Sequence, residues 1–236
     1  MFNFKKRFGQ NFLVNTGVIK KIIDCFDSFD EIIEIGPGNG ALTKSFLQKN
    51  KKITAIDIDI DCIQSLEDLS INLIHADILN YDLPNNLPLV GNLPYNISSK
   101  IVEKIVKNTV PYAVFMFQKE VADVLTGVDY GKLTVFAQSR YSIRKLMDVK
   151  PGCFFPVPKV TSQVVIFERV HTYDFVDLTV LNQILSQLFI HKRKKISFVR
   201  KKNLKLFEKI QLCGLNCDKR PEEISKEEFF ELCKLF

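Results

Sequence analysis

Residues 34–40 read Glu-Ile-Gly-Pro-Gly-Asn-Gly, and this stretch is the strongest indication of the fold class. An apolar pair at 32–33 precedes it and Ala-Leu-Thr at 41–43 follows it, which predicts a strand, a glycine-rich loop and the start of a helix. Glycine adopts backbone angles that other residues avoid and lets a ligand approach the main chain closely. The stretch therefore indicates a nucleotide-type binding loop, with GxGxG spacing in place of the dinucleotide pattern GxGxxG.

Acidic residues at the ends of the next two strands support this interpretation over a plain turn between strand and helix. The strand at 53–56 ends in Asp57, about 20 residues downstream, where a carboxylate is expected to hold ribose hydroxyls. A third strand, 73–74, runs towards Asp77, which we expect to reach an adenine amino group at the same sheet edge. The cofactor that these features imply is S-adenosylmethionine.

A second motif, Asn92-Leu93-Pro94-Tyr95, follows Gly91. The lone pair of an adenine N6 amine is delocalised into the ring, so the amine is a poor nucleophile until its protons are held in hydrogen bonds. The Asn92 side-chain oxygen and the Leu93 or Pro94 carbonyl are suitable acceptors, and Tyr95 offers a stacking face. A strand end turned by proline is the simpler alternative, and the glycine loop upstream favours the catalytic one.

Strands alternate with helices through the first part of the chain, which predicts a parallel sheet. The predicted strands are 31–35, 53–57, 72–75, 87–91, 113–117 and 162–169, the last of them antiparallel. The predicted helices begin at Asn15 or Thr16, at 41 and at 61, and span 98–107 and 133–141. From about residue 171 only helices are expected, so we predict domains at 1–170 and 171–236.

Charge indicates a polyanionic partner. The net charge is +6, and residues 192–202 hold seven basic side chains in eleven positions without an acid. A solvated helix face is the usual explanation for such a run. Here Ile196, Phe198 and Val199 interrupt the charges and can anchor the segment, so we favour phosphate binding. The predicted RNA-binding residues are Lys192, Arg193, Lys194, Lys195, Arg200, Lys201 and Lys202.

Other partners are not expected. The three histidines are scattered and the six cysteines form no CxxC pair, so no metal site is predicted. No apolar run approaches the ~18 residues of a membrane span, and the first residues do not resemble a signal peptide. A cytoplasmic monomer without a membrane partner is the expectation.

The sequence resembles the ribosomal RNA adenine N6-dimethyltransferases of the small-subunit type. The resemblance rests on several motifs in the family's order, beside the two already described. They are KRFGQNFL at 6–13, QKEVA at 118–122, YGKL at 130–133 and FFPVPKV at 154–160. It implies a Rossmann-like class I methyltransferase domain, with a seven-stranded and mostly parallel sheet, followed by a small all-helical domain that binds RNA.

The resemblance also implies site residues. Those expected to bind the cofactor are Asn11, Leu13, Gly36, Gly38, Gly40, Asp57, Ile58, Asp77, Ile78 and Asn92. Phe154, just before the PxPKV turn, is expected to form the second wall around an extruded adenine, opposite Tyr95, with Phe155 as the alternative. Phe8 and the residues after it suggest an ordered flap.

The implied reaction is direct displacement at a sulfonium methyl group by adenine N6, without a general base. The implied substrate is a pair of adjacent adenines in the hairpin loop near the 3′ end of small-subunit rRNA, within an assembling particle. Two alternatives remain. One is an adenine methyltransferase of the macrolide-resistance type, acting on large-subunit rRNA. The other is a non-catalytic assembly or transcription factor on the same fold.

Overall fold

A computed structural model describes residues 11–108 and 110–236. The described residues form two compact units. The first contains the chain up to Ala122 together with Ile143–Arg169, and the second contains Asp123–Ser142 together with Val170–Phe236. The predicted flap around Phe8 lies outside the described residues.

A seven-stranded sheet forms the centre of the fold. Its strands are β2 (Glu31–Ile35), β3 (Lys52–Asp57), β4 (Asn72–His75), β5 (Leu89–Asn92), β6 (Tyr112–Gln118), β7 (Tyr141–Val149) and β9 (Ser162–Arg169). They lie in the order β4-β3-β2-β5-β6-β9-β7. The pairs among β4, β3, β2, β5 and β6 are parallel, whereas β9 runs antiparallel to β6. The predicted mostly parallel sheet, with an antiparallel final strand, is therefore confirmed.

Helices of the first unit follow the strands in sequence. They are α1 (Thr16–Asp24), α2 (Ala41–Gln48), α3 (Ile60–Gln64) and α4 (Ser98–Lys107), and α5 (Lys119–Thr126) begins there. Asn15 caps α1 by accepting a hydrogen bond from the Val18 N–H, as predicted, and α1 buries Ile22 and Ile23. The inner residues of β6 are all buried, which explains the unbroken apolar run at 113–117.

A short ribbon lies outside the main sheet. Strand β1 (Phe12–Leu13) pairs antiparallel with β8 (Phe154–Phe155). The amide of Val14 extends this pairing by donating to the Cys153 carbonyl at 2.9 Å. The ribbon thus joins the last two residues of the KRFGQNFL motif to the FFPVPKV motif, although Leu13 and its partner Phe154 are 141 positions apart in the sequence.

The second unit is helical apart from the start of β7. Its helices are α6 (Lys132–Gln138), α7 (Leu178–Phe189), α8 (Leu204–Leu212) and α9 (Lys226–Cys233), with 3-10 helices at Ile196–Lys201 and Pro221–Glu223. Among residues 171–236, all described, there is no strand, as predicted. Helix α6 packs against α7 and α9, which groups residues 123–142 with the carboxyl-terminal helices, although the sequence suggested a single division after residue 170.

One strand of the main sheet escaped prediction, as did the two short strands of the ribbon. The helix predicted over 133–141 ends at Gln138, and Tyr141 begins β7, which reaches Val149. This strand is last in the sheet order and carries Arg144 and Lys145 on exposed positions. A charged edge strand lacks the apolar pattern by which strands are recognised, because one of its sides faces water.

Candidate active site

A cavity of about 340 Å³ opens in the first unit where the carboxyl ends of the parallel strands meet. Most of the predicted site residues lie in its wall. They are Asn11, Leu13, Gly36, Gly38, Asp57, Ile58, Asp77, Ile78, Asn92, Leu93, Pro94 and Tyr95. Gly40 and Phe154 are not among its lining residues. The sheet topology therefore brings together residues that the sequence separates by more than 80 positions.

The glycine loop forms one wall. Gly36, Gly38 and Gly40 all have positive φ angles, of 67°, 57° and 79°, which side chains rarely allow. A Cβ on Gly38 would lie 2.6 Å from the Phe12 ring, and one on Gly40 would lie 2.6 Å from Leu66 Cδ2. At Gly36, by contrast, no heavy atom of the described residues lies within 4 Å of a Cβ position. The loop is thus tight behind Gly38 and Gly40 and open at Gly36.

Asp57 ends β3 beside the loop. Its Oδ1 accepts a hydrogen bond from the Asp59 N–H at 2.8 Å. Burial raises the pKa of Asp57, and backbone hydrogen bonds from Asp59 and Gly38 oppose that shift. Two backbone donors therefore hold the carboxylate in a defined orientation at the cavity wall.

Asp77 lies two residues beyond β4. Its Oδ1 accepts from the Leu79 N–H at 2.9 Å and its Oδ2 accepts from Asn80 Nδ2 at 3.1 Å. Each carboxylate oxygen has further acceptor capacity, so these bonds orient the group without saturating it. Ile58 and Ile78, each next to one of these acids, add apolar surface to the same wall.

Glu34 also lines the cavity, and sequence reasoning did not assign it a role. Its side chain is buried in the last part of β2 and accepts a hydrogen bond from the Thr43 hydroxyl at 2.6 Å. Burial raises its pKa to about 7, and the nearby Asp57 carboxylate acts in the same direction. A buried acid at the end of an apolar strand was the available signal, since isoleucines surround it in the sequence.

The Asn92–Tyr95 motif also lines the cavity. Asn92 ends β5, and its Nδ2 donates to the Asn11 carbonyl at 2.7 Å. The Pro94 carbonyl accepts from the Ile97 N–H at 3.2 Å, which closes the turn into α4. The Tyr95 carbonyl accepts from the Ser98 hydroxyl at 3.1 Å. Hydrogen bonds therefore hold the motif at both ends, at the Asn92 side chain and at the Tyr95 carbonyl.

Phe154 lies elsewhere. Its side chain is only 2% exposed and belongs to the hydrophobic core with Leu13, whereas the neighbouring Phe155 is 58% exposed. The difference follows from β8, because successive side chains of a strand point to opposite faces. In this conformation Phe154 is a core residue, and its assignment as a wall of the adenine site stays a prediction.

The seven predicted RNA-binding residues lie in two groups, one in the turn after α7 (192–195) and one at the end of the following 3-10 helix (200–202). All seven predicted side chains are exposed, while Ile196 and Val199 are buried and anchor the segment. Lys195 donates to Asp218 at 2.8 Å. The anchoring was predicted, but the segment is a turn and 3-10 helix, where an α-helix had been expected.

Two further features bear on the predicted partners. Within 11–108 and 110–236, no group of three or more acidic, histidine or cysteine side chains is placed to hold a metal ion. The same residues include no helix whose length and apolar character would allow it to cross a bilayer.

Solved structures share this architecture. A dimethyladenosine transferase from Plasmodium falciparum matches with a TM-score of 0.80 and 25% identity, covering 93% of this chain and 95% of the other. The 23S rRNA methyltransferase ErmE matches with a TM-score of 0.74 and 24% identity, covering 95% and 98%. The sheet order, the glycine loop and the cavity beside it define a class I methyltransferase fold, as predicted.

A family model described as Ribosomal RNA adenine dimethylase matches residues 1–236. Relatives named Ribosomal RNA small subunit methyltransferase A also match. The one from Malacoplasma penetrans (strain HF-2) is 36% identical and the match covers 98% of this chain and 92% of the relative. The one from Legionella pneumophila (strain Corby) is 37% identical, with 98% and 96% covered. The chain belongs to the ribosomal RNA adenine dimethylase family, and the predicted enzyme class, an rRNA adenine methyltransferase, is confirmed.

Proposed function

We propose that this enzyme uses S-adenosylmethionine to dimethylate the N6 amines of two adjacent adenines in the hairpin loop near the 3′ end of small-subunit rRNA. It acts as a cytoplasmic monomer on the assembling small subunit. The names of its relatives support the choice of the small subunit. The observation that carries the proposal is that the Asn92–Tyr95 motif and the glycine loop line one cavity.

The cavity suits S-adenosylmethionine. The opening beside Gly36 lets a ligand approach the backbone, and Asp57 is oriented to accept hydrogen bonds from ribose hydroxyls. Asp77 is available for the adenine amino group, and Ile58 and Ile78 add apolar side chains to the cavity lining. When bound, the cofactor supplies an electrophilic methyl group, and no protein nucleophile is required.

The chain activates the target amine by accepting its protons. Because Asn92 Nδ2 already donates to the Asn11 carbonyl, its Oδ1 is directed to accept one N6 proton. The Pro94 carbonyl accepts from Ile97, so the Leu93 carbonyl is the better candidate for the second proton. These two acceptors draw the nitrogen towards tetrahedral geometry, and the proton lost after transfer passes to solvent.

Tyr95 holds the target base by stacking against it. Phe154 serves as the second wall if the β1–β8 ribbon shifts to uncover it, and Phe155 is the exposed alternative. Stacking on both faces of the adenine offsets the few kcal/mol that base extrusion costs. The exposed basic residues at 192–202 bind backbone phosphates, which contributes affinity without base specificity.

Methyl transfer to isolated ribosomal subunits tests the proposal. Small and large subunits that lack adenine dimethylation are incubated separately with the protein and labelled S-adenosylmethionine, and the modified nucleosides are identified by mass spectrometry. We expect N6,N6-dimethyladenosine in small-subunit rRNA only, and a loss of product with Asn92→Ala. Product confined to large subunits would support the macrolide-resistance type instead. Binding to either subunit without any methyl transfer would support a non-catalytic factor.

A further inference from the structure

Ser162 makes a hydrogen bond with the side chain of Tyr95 at the edge of the candidate site. The Tyr95 phenol oxygen lies 2.9 Å from Ser162 Oγ, and either hydroxyl can donate. Ser162 is fully buried, at 0% exposure, while the tyrosine is partly exposed and lines the cavity. A buried hydroxyl without a hydrogen-bond partner destabilises the folded state, so this contact stabilises the position of both side chains.

The backbone around Ser162 is held in place by the sheet. Ser162 begins β9 and pairs with Gln118 at the end of β6. The next amide, that of Lys119, donates to the Thr161 carbonyl at 2.9 Å. Because β9 is antiparallel, its first residue reaches the same sheet edge as the carboxyl ends of the parallel strands. The hydroxyl therefore belongs to a rigid element, which positions side chains more precisely than a loop does.

A second buried serine holds the other end of Tyr95. Ser98, at 1% exposure in the first turn of α4, donates to the Tyr95 carbonyl at 3.1 Å. The tyrosine is thus tied through its backbone to α4 and through its phenol to β9. With both ends held, the long axis of the ring between them is fixed.

We propose that Ser162 is a positioning residue that sets the Tyr95 ring for stacking on the target adenine. This inference rests on the proposed function and deepens it. Stacking alone needs no phenol oxygen, since phenylalanine offers the same ring face. The hydroxyl pair instead defines where that face lies relative to the Asn92 and Leu93 acceptors. A displaced base lowers turnover steeply, because misplacement by about 1 Å costs roughly 100-fold.

A double-mutant cycle tests this role. Ser162→Ala removes one partner of the bond and Tyr95→Phe removes the other. We expect each single variant to lower kcat for adenine methylation by roughly tenfold, less than a full 1 Å misplacement costs, with an unchanged dissociation constant for S-adenosylmethionine. The double variant should be no slower than either single variant, since both remove one interaction. Effects that multiply, or an unchanged kcat for Ser162→Ala, would overturn the inference.

A matched control separates positioning from stability. Ser139→Ala removes another fully buried hydroxyl, which donates to the Phe136 carbonyl at 2.7 Å in the second unit. We expect this variant to lose thermal stability comparable with Ser162→Ala while kcat stays unchanged. Equal losses of kcat in the two variants would reduce Ser162 to a structural residue.

A spectroscopic measurement is independent of turnover. The hydrogen bond from Ser162 opposes the rise in the Tyr95 pKa that burial causes. NMR titration of ring-labelled tyrosine, with the Tyr95 signal assigned from Tyr95→Phe, should therefore show a higher pKa in Ser162→Ala. If the Tyr95 pKa shifts but the wild type transfers no methyl group, the proposed function would be contradicted, whereas the contact between Ser162 and Tyr95 would be supported. An unshifted pKa would show that the contact does not form.

Discussion

The Asn92 side chain is tied to the Asn11 backbone by a 2.7 Å hydrogen bond across 81 positions of sequence. The bond uses the amide nitrogen, so it fixes which side of the amide faces away from Asn11. A residue near the amino end of the described chain thereby orients the proposed catalytic acceptor. Both asparagines line the cavity.

Substitutions at Asn92 separate its two roles. Asn92→Ala removes acceptor and donor together, and we expect kcat to fall by at least about 100-fold, as for other preorganised polar groups. Asn92→Asp keeps acceptor oxygens but cannot donate to the Asn11 carbonyl, so we expect a loss of comparable size from misorientation and repulsion. Labelled methyl incorporation measures both. Wild-type incorporation by Asn92→Asp would show that the tie to Asn11 is dispensable.

The raised pKa of Glu34 should make the free energy of unfolding depend on pH. Its pKa is raised to about 7 in the folded protein from 4.5, so the folded state retains a proton that the unfolded state releases between these values. The stability that Glu34 contributes is full below pH 4.5 and is lost as pH rises through about 7. We expect Glu34→Gln, which stays neutral, to gain roughly 3 kcal/mol relative to wild type across this interval.

Urea denaturation of both proteins from pH 4.5 to 8 measures that difference. Other titrating groups are common to the two proteins and cancel in the subtraction. The difference in unfolding free energy should rise with pH and level off above about 7. A difference that stays constant across the interval would mean that Glu34 titrates normally.

The packing around Gly91 leaves no room for a side chain next to Asn92. A Cβ at this position would lie 2.6 Å from the Ile35 carbonyl oxygen and 2.9 Å from Leu93 Cδ2. Because the first obstacle is backbone, Gly91→Ala must displace β2 or β5, at a cost of about 1–3 kcal/mol in unfolding free energy. Thermal unfolding measures the loss, and methylation should fall as Asn92 moves.

Gly152→Ala is the matched control for that substitution. Gly152 is exposed, and no heavy atom of the described part of the chain lies within 4 Å of its Cβ position. The melting temperature of the Gly152→Ala variant should remain close to that of wild type. Equal losses in the two variants would point to a general effect of replacing glycine rather than to the contact with Ile35.

Much of the fold follows from local patterns. The limits of β4, α4 and β9 agree with prediction to the residue, since apolar periodicity and turn residues define them. Asp57 and Asn92 end their strands, so a parallel sheet necessarily brings them to one edge. Strand β7 was missed because its charged, half-exposed sequence carries little apolar signal.

Contacts between distant segments could not be predicted in this way. Nothing local to Tyr95 indicates Ser162, because their proximity depends on the register of β6 with β9. Phe154 was placed beside the adenine on the basis of its motif, but the pairing of β8 with β1 decides which phenylalanine is buried. The folding pattern can be inferred from single segments, whereas side-chain environments require the pairing of segments.

Charge reversal tests the predicted RNA-binding residues in the turn at 192–195. Arg193 is exposed and forms no ion pair with a described residue, so Arg193→Glu should weaken binding to small subunits and lower the slope of log affinity against log salt by about one. Lys205→Glu makes the same change in charge at an exposed position of α8 outside the turn. We expect little effect there, and unchanged cofactor affinity in both. Identical binding losses would indicate net charge rather than location.

The reversed direction of β9 has a practical consequence for protein engineering. The connection at 156–161 enters β9 on the side of the sheet where the candidate active site lies. The turn at 49–51 enters β3 at the opposite side of the sheet. A reporter peptide spliced into the first connection would disturb the tyrosine through the serine that follows it. The turn at 49–51 is therefore the safer place for a fluorescent label or an affinity handle.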